Sequence, residues 1–313
     1  KQAEESFAKW GYYYPPRNWE ELYAWDASNF QKYLKNESDA AKRVKFHVKL
    51  LNTTKEFGFY VAFQSLDYAT LNDVVYQTSR HTLLNQGMLA SGSDHCNVLM
   101  EVLCALASND YAVIDAFFPK DLPHSKGTYY TEVAVNLLRV LYYGENALKE
   151  EALSKATQFL TKKRTDWERY VVGYFVALVN RDATEASACL QKLCVAYQKA
   201  GYPVDALDKC FATEIHGLYR FAQKVDASFF DKLTPPKHLC FSTEFEAWQQ
   251  TQGYPKGKLF YRFPAEMDLM NKILEAPLPT VTLHEVSYPR GKEIYKDVDQ
   301  FAANLTENVR QFL

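Results

Sequence analysis

The segment from 165 to 225 decides the fold: TDWERYVVGYFVALVNRDATEASACLQKLCVAYQKAGYPVDALDKCFATEIHGLYRFAQKV. Its apolar residues recur at the three- and four-residue spacing of a single helical face, in three successive runs. Thr165 and Asp182 stand at the expected N-caps of the first two helices, each three residues before a glutamate. Since neither helix can bury its apolar face alone, the short turn between them predicts an antiparallel hairpin, and a third helix is predicted over 207–225.

The same rhythm of apolar helix, short turn with an acidic residue and second apolar helix occurs three times. Its turns are Asn109-Asp110, Gly144-Glu145 and Arg181-Asp182, which are 35 and 37 residues apart, close to the repeat of about 34 residues in tetratricopeptide units. We therefore predict an all-α fold of stacked antiparallel helical hairpins, a degenerate tetratricopeptide-like partial solenoid with flanking helices. The predicted regions are an N-terminal helical region with an aromatic lead-in (1–93), the helical-hairpin core (94–225), and a C-terminal region with an extended arm and a terminal docking helix (226–313).

The flanking segments carry weaker patterns. The apolar run 57–63 predicts a buried helix, with a short strand as the alternative. A helix beginning at Leu71 becomes polar around residues 78–81. Residues 279–287 read as a strand or a covering arm, and a single apolar stripe predicts a last helix over 294–312.

The composition restricts the class of function. Hydrophobic residues make up 47% of the 313 residues and aromatic residues 15%, which is typical of a folded globular chain. There are 36 basic and 38 acidic residues, giving a formal net charge of −2. This balance favours neither nucleic acid nor an anionic membrane as a partner. The aromatic amino terminus could stack sugars or bases, but rings in that number more often form a core or an interface.

The cysteines and the absence of targeting signals indicate the compartment. None of the six cysteines forms a Cys-x-x-Cys pair, and most lie on or beside apolar helical stripes, as reduced core thiols do. No apolar run reaches the length of a membrane span, and no signal peptide is recognisable. We expect a cytoplasmic protein.

Few residue groups suggest chemistry. Ser91-Gly92-Ser93-Asp94-His95 has the residue types of a nucleophilic site, but a turn and helix N-cap explains them better. His95-Cys96 lacks a second pair with metal-ligand spacing, so no metal site is predicted. Glu214 lies at the edge of an apolar stripe and is either paired inside the protein or functional; we favour the structural interpretation. No cofactor and no catalytic residue is predicted.

Four segments between Ser79 and Val225 share a rhythm of leucine-rich helix, short turn with Asp, and helix. They are Ser79–Leu83, Glu101–Asp110, Tyr174–Asp182 and Glu214–Arg220. In this rhythm the chain resembles the immunity protein 49 family of bacterial polymorphic-toxin systems, over less than half of its length. The resemblance implies an all-α cytoplasmic antidote that binds one toxin domain and has no catalytic residues.

The sequence therefore predicts a protein that acts by binding rather than turnover. The leading hypothesis is neutralisation of a cognate toxin, the alternative is a helical-repeat scaffold or adaptor for another protein, and an enzyme comes third. Interfaces are enriched in Tyr and Arg. The polar faces of the helices predicted over 71–88 and 207–225 offer Tyr, Arg and His side chains for such an interface. The predicted partner-binding residues are Arg80, His81, His216, Tyr219 and Arg220.

Overall fold

The computed structural model of the chain describes residues 2–11, 18, 20–22, 24, 39–51, 55–88, 94–200, 208–289 and 291–313. Helices dominate these residues, and the two strands they contain form one antiparallel hairpin. We number the elements of this described part as α1 Gln2–Trp10, α2 Ala40–Leu50, α3 Lys55–Ser65, α4 Tyr68–Met88, α5 Leu99–Leu106, α6 Ala112–Phe117, α7 Tyr130–Tyr143, α8 Asn146–Leu160, α9 Asp166–Val179, α10 Ala183–Lys199, α11 Thr213–Val225, α12 Ala227–Phe230, α13 Thr243–Thr251, α14 Asp268–Glu275, β1 Leu283–Tyr288, β2 Gly291–Lys296 and α15 Val298–Asn308.

The predicted all-α class is confirmed, and residues 165–199 form the predicted hairpin of α9 and α10. Thr165 and Glu168 make the reciprocal capping box at the start of α9. Asp182 accepts the backbone N–H of Glu185 at 3.0 Å and so caps α10. These local signals were sufficient because each cap satisfies backbone groups within its own first turn.

The three predicted turns share one backbone geometry. Asn109, Gly144 and Arg181 all have positive φ, at 60°, 66° and 57°. In each case the following acidic residue donates its N–H to the carbonyl five residues earlier, the hydrogen bond of a Schellman motif. The turns join α5 to α6, α7 to α8 and α9 to α10, whereas the arrangement of these pairs as a solenoid stays a prediction.

Helix α4 lies at the centre of the packing. It contacts α2, α3, α5, α14 and α15, while α5 also packs against α11. The closest approach of α5 and α11 is at Gly217, where an added Cβ would lie 1.8 Å from the carbonyl oxygen of Leu103. The buried core includes residues from all three of the regions predicted from sequence, from Leu22 to Val309.

Two sequence expectations need correction, and one is confirmed in part. The predicted start of the last helix at residue 294 is wrong, because Ile294 lies in β2 and α15 begins at Val298. Residues 78–81 of α4 do not form a solvated polar face, since Ser79, Arg80 and His81 are buried. The run 57–63 is helical, as preferred over a strand, but it is buried on one side, with Tyr60 60% exposed.

Some expectations fall outside the described residues. These are the turn at Ser91–Ser93, residues 12–17 of the aromatic lead-in, and most of the helix after it. The predicted third helix over 207–225 is wrong at its start, because Asp208–Cys210 form a separate helical turn and α11 begins only at Thr213. Asp94 is described, and it caps the helical turn His95–Val98 by accepting the N–H of Cys96 at 2.7 Å. In the part of the chain that the structure describes, no helix combines the length and apolar character needed to cross a membrane.

Candidate functional site

The five residues predicted to face a partner are all buried in this structure. Their exposed fractions lie between 0% and 7%, so the expectation that they lie on solvent-facing helix surfaces is wrong. Arg80, His81, His216 and Arg220 have polar partners inside the protein, and Tyr219 makes ring contacts with Phe230 and Phe241. A buried charge that is paired and hydrogen-bonded is the arrangement expected in a protein interior.

Arg80 joins three parts of the chain. Its guanidinium donates to the carbonyls of Leu274 and Ala276, at the carboxyl end of α14. A third nitrogen lies 3.3 Å from the carboxylate of Asp110, in the turn between α5 and α6. His81 hydrogen-bonds to Asn85 one turn later, at 2.6 Å, and burial lowers the pKa of His81 to about 4. Arg80 therefore connects α4 with the end of α14 and with the turn between α5 and α6, whereas the hydrogen bond of His81 to Asn85 stays within α4.

His216 and Arg220, on α11, share one acceptor on α13. Glu246 lies 2.6 Å from Nδ1 of His216 through Oε1 and 2.6 Å from Nη2 of Arg220 through Oε2. Nε2 of His216 accepts the N–H of Ser242 at 3.2 Å, which fixes the neutral ring with its proton on Nδ1. Burial lowers the pKa of His216, in keeping with that neutral form. Tyr219 lies beside Arg220, whose guanidinium carbon is 5.2 Å from the centre of the Tyr219 ring.

A different group of residues lines the most chemically distinctive cavity of the described chain. Its volume is about 320 Å³, and its walls come from α3, α4, α5, α10, α11 and the helical turn Asp208–Cys210. We call it the acidic cavity, because three carboxylates face a single amine there. Its lining residues are Lys55, Phe59, Val75, Thr78, Ser79, Thr82, Glu101, Cys104, Tyr197, Asp208, Thr213 and Glu214.

Two of the three carboxylates are not satisfied by the chain. The Oε2 atoms of Glu101 and Glu214 are hidden from solvent and have no hydrogen-bond partner among the described residues. Burial raises the pKa of both carboxyls. A hydrogen bond from Tyr197 lowers the pKa of Glu214, and the charge of Lys296 lowers that of Glu101, but burial outweighs both. Desolvation of a carboxylate without a full set of donors costs free energy. Both groups therefore favour a ligand that brings donors or positive charge.

The remaining charges of the acidic cavity are paired. Lys55 forms an ion pair with Asp208. Burial alone would lower the pKa of Lys55, but the hydrogen bond and charge of Asp208 outweigh burial and raise it. Cys104 lies on α5 one turn after Glu101, and burial raises the pKa of its thiol well above the ordinary value, so it is a poor nucleophile. The cavity can hold a cation or exchange a proton through its two unsatisfied carboxyls.

A basic depression of about 450 Å³ forms a second candidate surface, between α8, the segment that follows α8, and the start of α7 with the segment before it. Its cations are Lys126, Lys155, Lys162 and Arg164. Two of them already interact with the chain: the Lys155 ammonium donates to the carbonyl of Ser125 at 2.6 Å, and the Arg164 guanidinium lies 4.2 Å from the centre of the Phe159 ring. Fewer groups there lack a partner than in the acidic cavity.

Sequence reasoning considered Glu214 and missed Glu101. The structure shows why Glu214 and His216 act separately: Glu214 lines the acidic cavity, whereas His216 points to Glu246. Glu101 sits in the first turn of a leucine-rich helix, where acids are common for reasons of helix electrostatics. The position of Glu101 beside the apolar stripe of α5 was the one feature that could have indicated a special role. No local sequence pattern shows that this face of α5 borders a cavity.

Comparisons with known protein families, with curated proteins and with solved structures found no match for the chain.

Proposed function

We propose that this protein is an immunity protein that binds and neutralises a cognate bacterial toxin, and that the acidic cavity belongs to the surface that the toxin contacts. One observation carries the proposal: segments that are far apart in sequence and resemble immunity protein 49 meet at this cavity. Ser79 comes from the first segment, Glu101 and Cys104 from the second and Glu214 from the fourth. The third segment is connected to the fourth through the Tyr174 hydroxyl, which donates to the carbonyl of Leu218 at 2.9 Å.

The chemistry of the cavity favours a positively charged group of the toxin. Glu101 and Glu214 each offer a buried acceptor without a donor, and a lysine or arginine side chain supplies three or five N–H donors and a positive charge. Such a group would lower the pKa values that burial raises. It would thereby offset the desolvation cost of the two carboxyls in the unbound protein. The volume of about 320 Å³ lies at the lower end of the roughly 300–1,000 Å³ of small-ligand sites, so one inserted side chain suits it better than a folded segment.

Neutralisation then follows from occupancy. A toxin residue held between buried carboxylates is removed from its own site, and the body of the immunity protein covers the surface around it. We further propose that the protein acts in the cytoplasm. None of its six cysteines, all within the described residues, forms a disulfide, which agrees with a reducing compartment.

Co-expression with the product of the neighbouring reading frame, tested as the candidate toxin, examines the proposal. Wild-type protein should restore growth and elute with the toxin in gel filtration. Glu214→Gln and Glu101→Gln keep the shape of each side chain and remove its charge, so each should weaken protection. Glu150→Gln, at an exposed position of α8, is the matched control and should protect like wild type. No rescue by wild type, together with no complex, would reject the proposal.

An enzyme is the second candidate, because of the same two carboxyls. Two acids with raised pKa values that line one cavity are suited to general acid–base catalysis. The two functions differ in stoichiometry: an antidote that acts by binding protects at one molecule per toxin, whereas an enzyme that modifies the toxin protects at a small fraction of that amount. A helical scaffold for another protein remains the alternative if the neighbouring gene product does not bind.

A further inference from the structure

Three side chains with the chemistry of zinc ligands meet outside the acidic cavity. They are Cys194 on α10 and His238 and Cys240 in the segment between α12 and α13. Their ligand atoms, two sulfurs and one imidazole nitrogen, all lie within 4.8 Å of one another. Both cysteines are buried and the histidine is half-buried, so an ion there would be shielded from solvent but still reachable.

We propose that Cys194, His238 and Cys240 bind a zinc ion, with a water molecule as the fourth ligand. Zn–S bonds of about 2.3 Å and Zn–N bonds of about 2.0 Å in a tetrahedron place neighbouring ligand atoms about 3.5–3.8 Å apart. Atoms already within 4.8 Å reach that geometry through side-chain shifts of about 1 Å. Two thiolates and one neutral imidazole form a donor set typical of zinc, and binding releases the two thiol protons to solvent.

Sequence analysis predicted no metal site because these ligands do not follow one another at a ligand spacing. His238 and Cys240 form a short His-x-Cys pair, but the third ligand comes from a helix far upstream. A second group, Asp94, His95 and Cys96, also brings three ligand atoms together. There, however, Oδ1 of Asp94 accepts the backbone N–H of Cys96 at 2.7 Å and lies 3.1 Å from Nδ1 of His95. In the Cys194 group the competing hydrogen bond, from the N–H of Cys240 to Nδ1 of His238, is long at 3.4 Å, so this group is the better site.

The proposed site joins elements that also shape the region around the acidic cavity. The carbonyl of Cys240 accepts the N–H of Ala212 at 2.8 Å, directly before α11. The next residue, Phe241, stacks on His216 with ring centres 4.2 Å apart. One turn after Cys194 on α10 lies Tyr197, a wall of the acidic cavity. A bound ion would therefore fix α10 against the segment that precedes α13, independently of any toxin.

Titration of the full-length, chelator-treated and reduced protein tests the proposal. With Co²⁺ as the probe, we expect one equivalent to give thiolate-to-cobalt charge-transfer absorption and the strong visible bands of a tetrahedral site. Zn²⁺ should abolish these bands by displacement and raise the midpoint of thermal unfolding. His238→Gln changes a half-buried side chain and leaves both buried thiols in place, so it should fold and yet bind metal at least about 100-fold more weakly, since even indirect ligand partners are worth about 10–100-fold.

Matched cysteine variants complete the experiment. Cys194→Ser and Cys240→Ser should each remove the charge-transfer band, whereas Cys189→Ser, on the same helix and equally buried, should leave it unchanged. Circular dichroism without metal establishes that each variant is folded. The proposal is wrong if wild-type protein shows no thiolate–cobalt band. It is equally wrong if His238→Gln binds like wild type, or if the band disappears in Cys96→Ser rather than in the Cys194 variant.

Discussion

Replacing Glu246 by alanine would remove the acceptor that His216 and Arg220 share. Arg220 is 1% exposed and His216 is fully buried, so both side chains would lose their acceptor at positions that are shielded from solvent in the folded protein. Removing one member of a buried ion pair typically costs about 3–5 kcal/mol. The ring of Tyr254, 4.6 Å from the guanidinium carbon of Arg220, remains as a cation–π partner and offsets about 0.5–2 kcal/mol of such a loss. We therefore expect Glu246→Ala to lower the free energy of unfolding by about 3 kcal/mol.

Urea unfolding followed by circular dichroism measures this effect, and a thermal scan should show a midpoint lowered by about 6 °C or more. Glu244→Ala is the matched control, because Glu244 lies on the same helix and is exposed; it should change stability by no more than about 0.5 kcal/mol. If Glu246→Ala costs less than about 1 kcal/mol, or no more than Glu244→Ala, the assignment of Glu246 as the central acceptor of α11 is wrong.

Three further outcomes follow from the structure. Gly217→Ala should destabilise the protein by about 3 kcal/mol in urea unfolding, because its Cβ would collide with the backbone of Leu103. Gly173→Ala should be neutral or up to about 1 kcal/mol stabilising, because its Cβ would meet a single sulfur at 3.3 Å. Equal effects of the two substitutions would contradict the close approach of α5 and α11. The pKa of Glu214 is raised on folding, so its contribution to stability is present below its unfolded pKa and is lost as pH rises. Glu214→Gln should therefore be more stable than wild type near neutral pH and lose that advantage in acid. A variant less stable than wild type at neutral pH would contradict the raised pKa of Glu214. The pKa of His81 is lowered to about 4, so stability should fall as pH drops from about 6.5 to about 4, by up to about 3 kcal/mol, and His81→Gln should flatten that part of the pH profile.

The α9–α10 hairpin could be predicted because its signals are local. Thr165 and Asp182 cap backbone groups within three residues, and the apolar stripes repeat within each helix. Caps and stripes depend on neighbouring positions in the chain, so a single sequence reveals them. The positive φ of Arg181 is likewise a local feature, because it belongs to the turn that ends α9.

The interior position of Arg80 could not be predicted, because its partners are distant in sequence. It donates to Leu274, 194 residues away, and to Asp110. A polar residue on a helix indicates a solvated face unless the rest of the fold supplies acceptors, and only tertiary packing decides between the two. The acidic cavity has the same origin, since Glu101 and Glu214 become neighbours of one space through the contact of α5 with α11.

The affinity of the cognate toxin domain for the double variant Glu101→Gln/Glu214→Gln tests the central claim most directly. The variant loses both charges of the acidic cavity but keeps its shape, and because burial disfavours those charges it should be at least as stable as wild type. A loss of binding would therefore not reflect unfolding. Measured by isothermal titration calorimetry beside wild type and Glu150→Gln, the double variant should bind at least about 30-fold more weakly, corresponding to about 2 kcal/mol. An affinity within about threefold of wild type, roughly 0.7 kcal/mol, would contradict the claim that the toxin places a cationic group in this cavity.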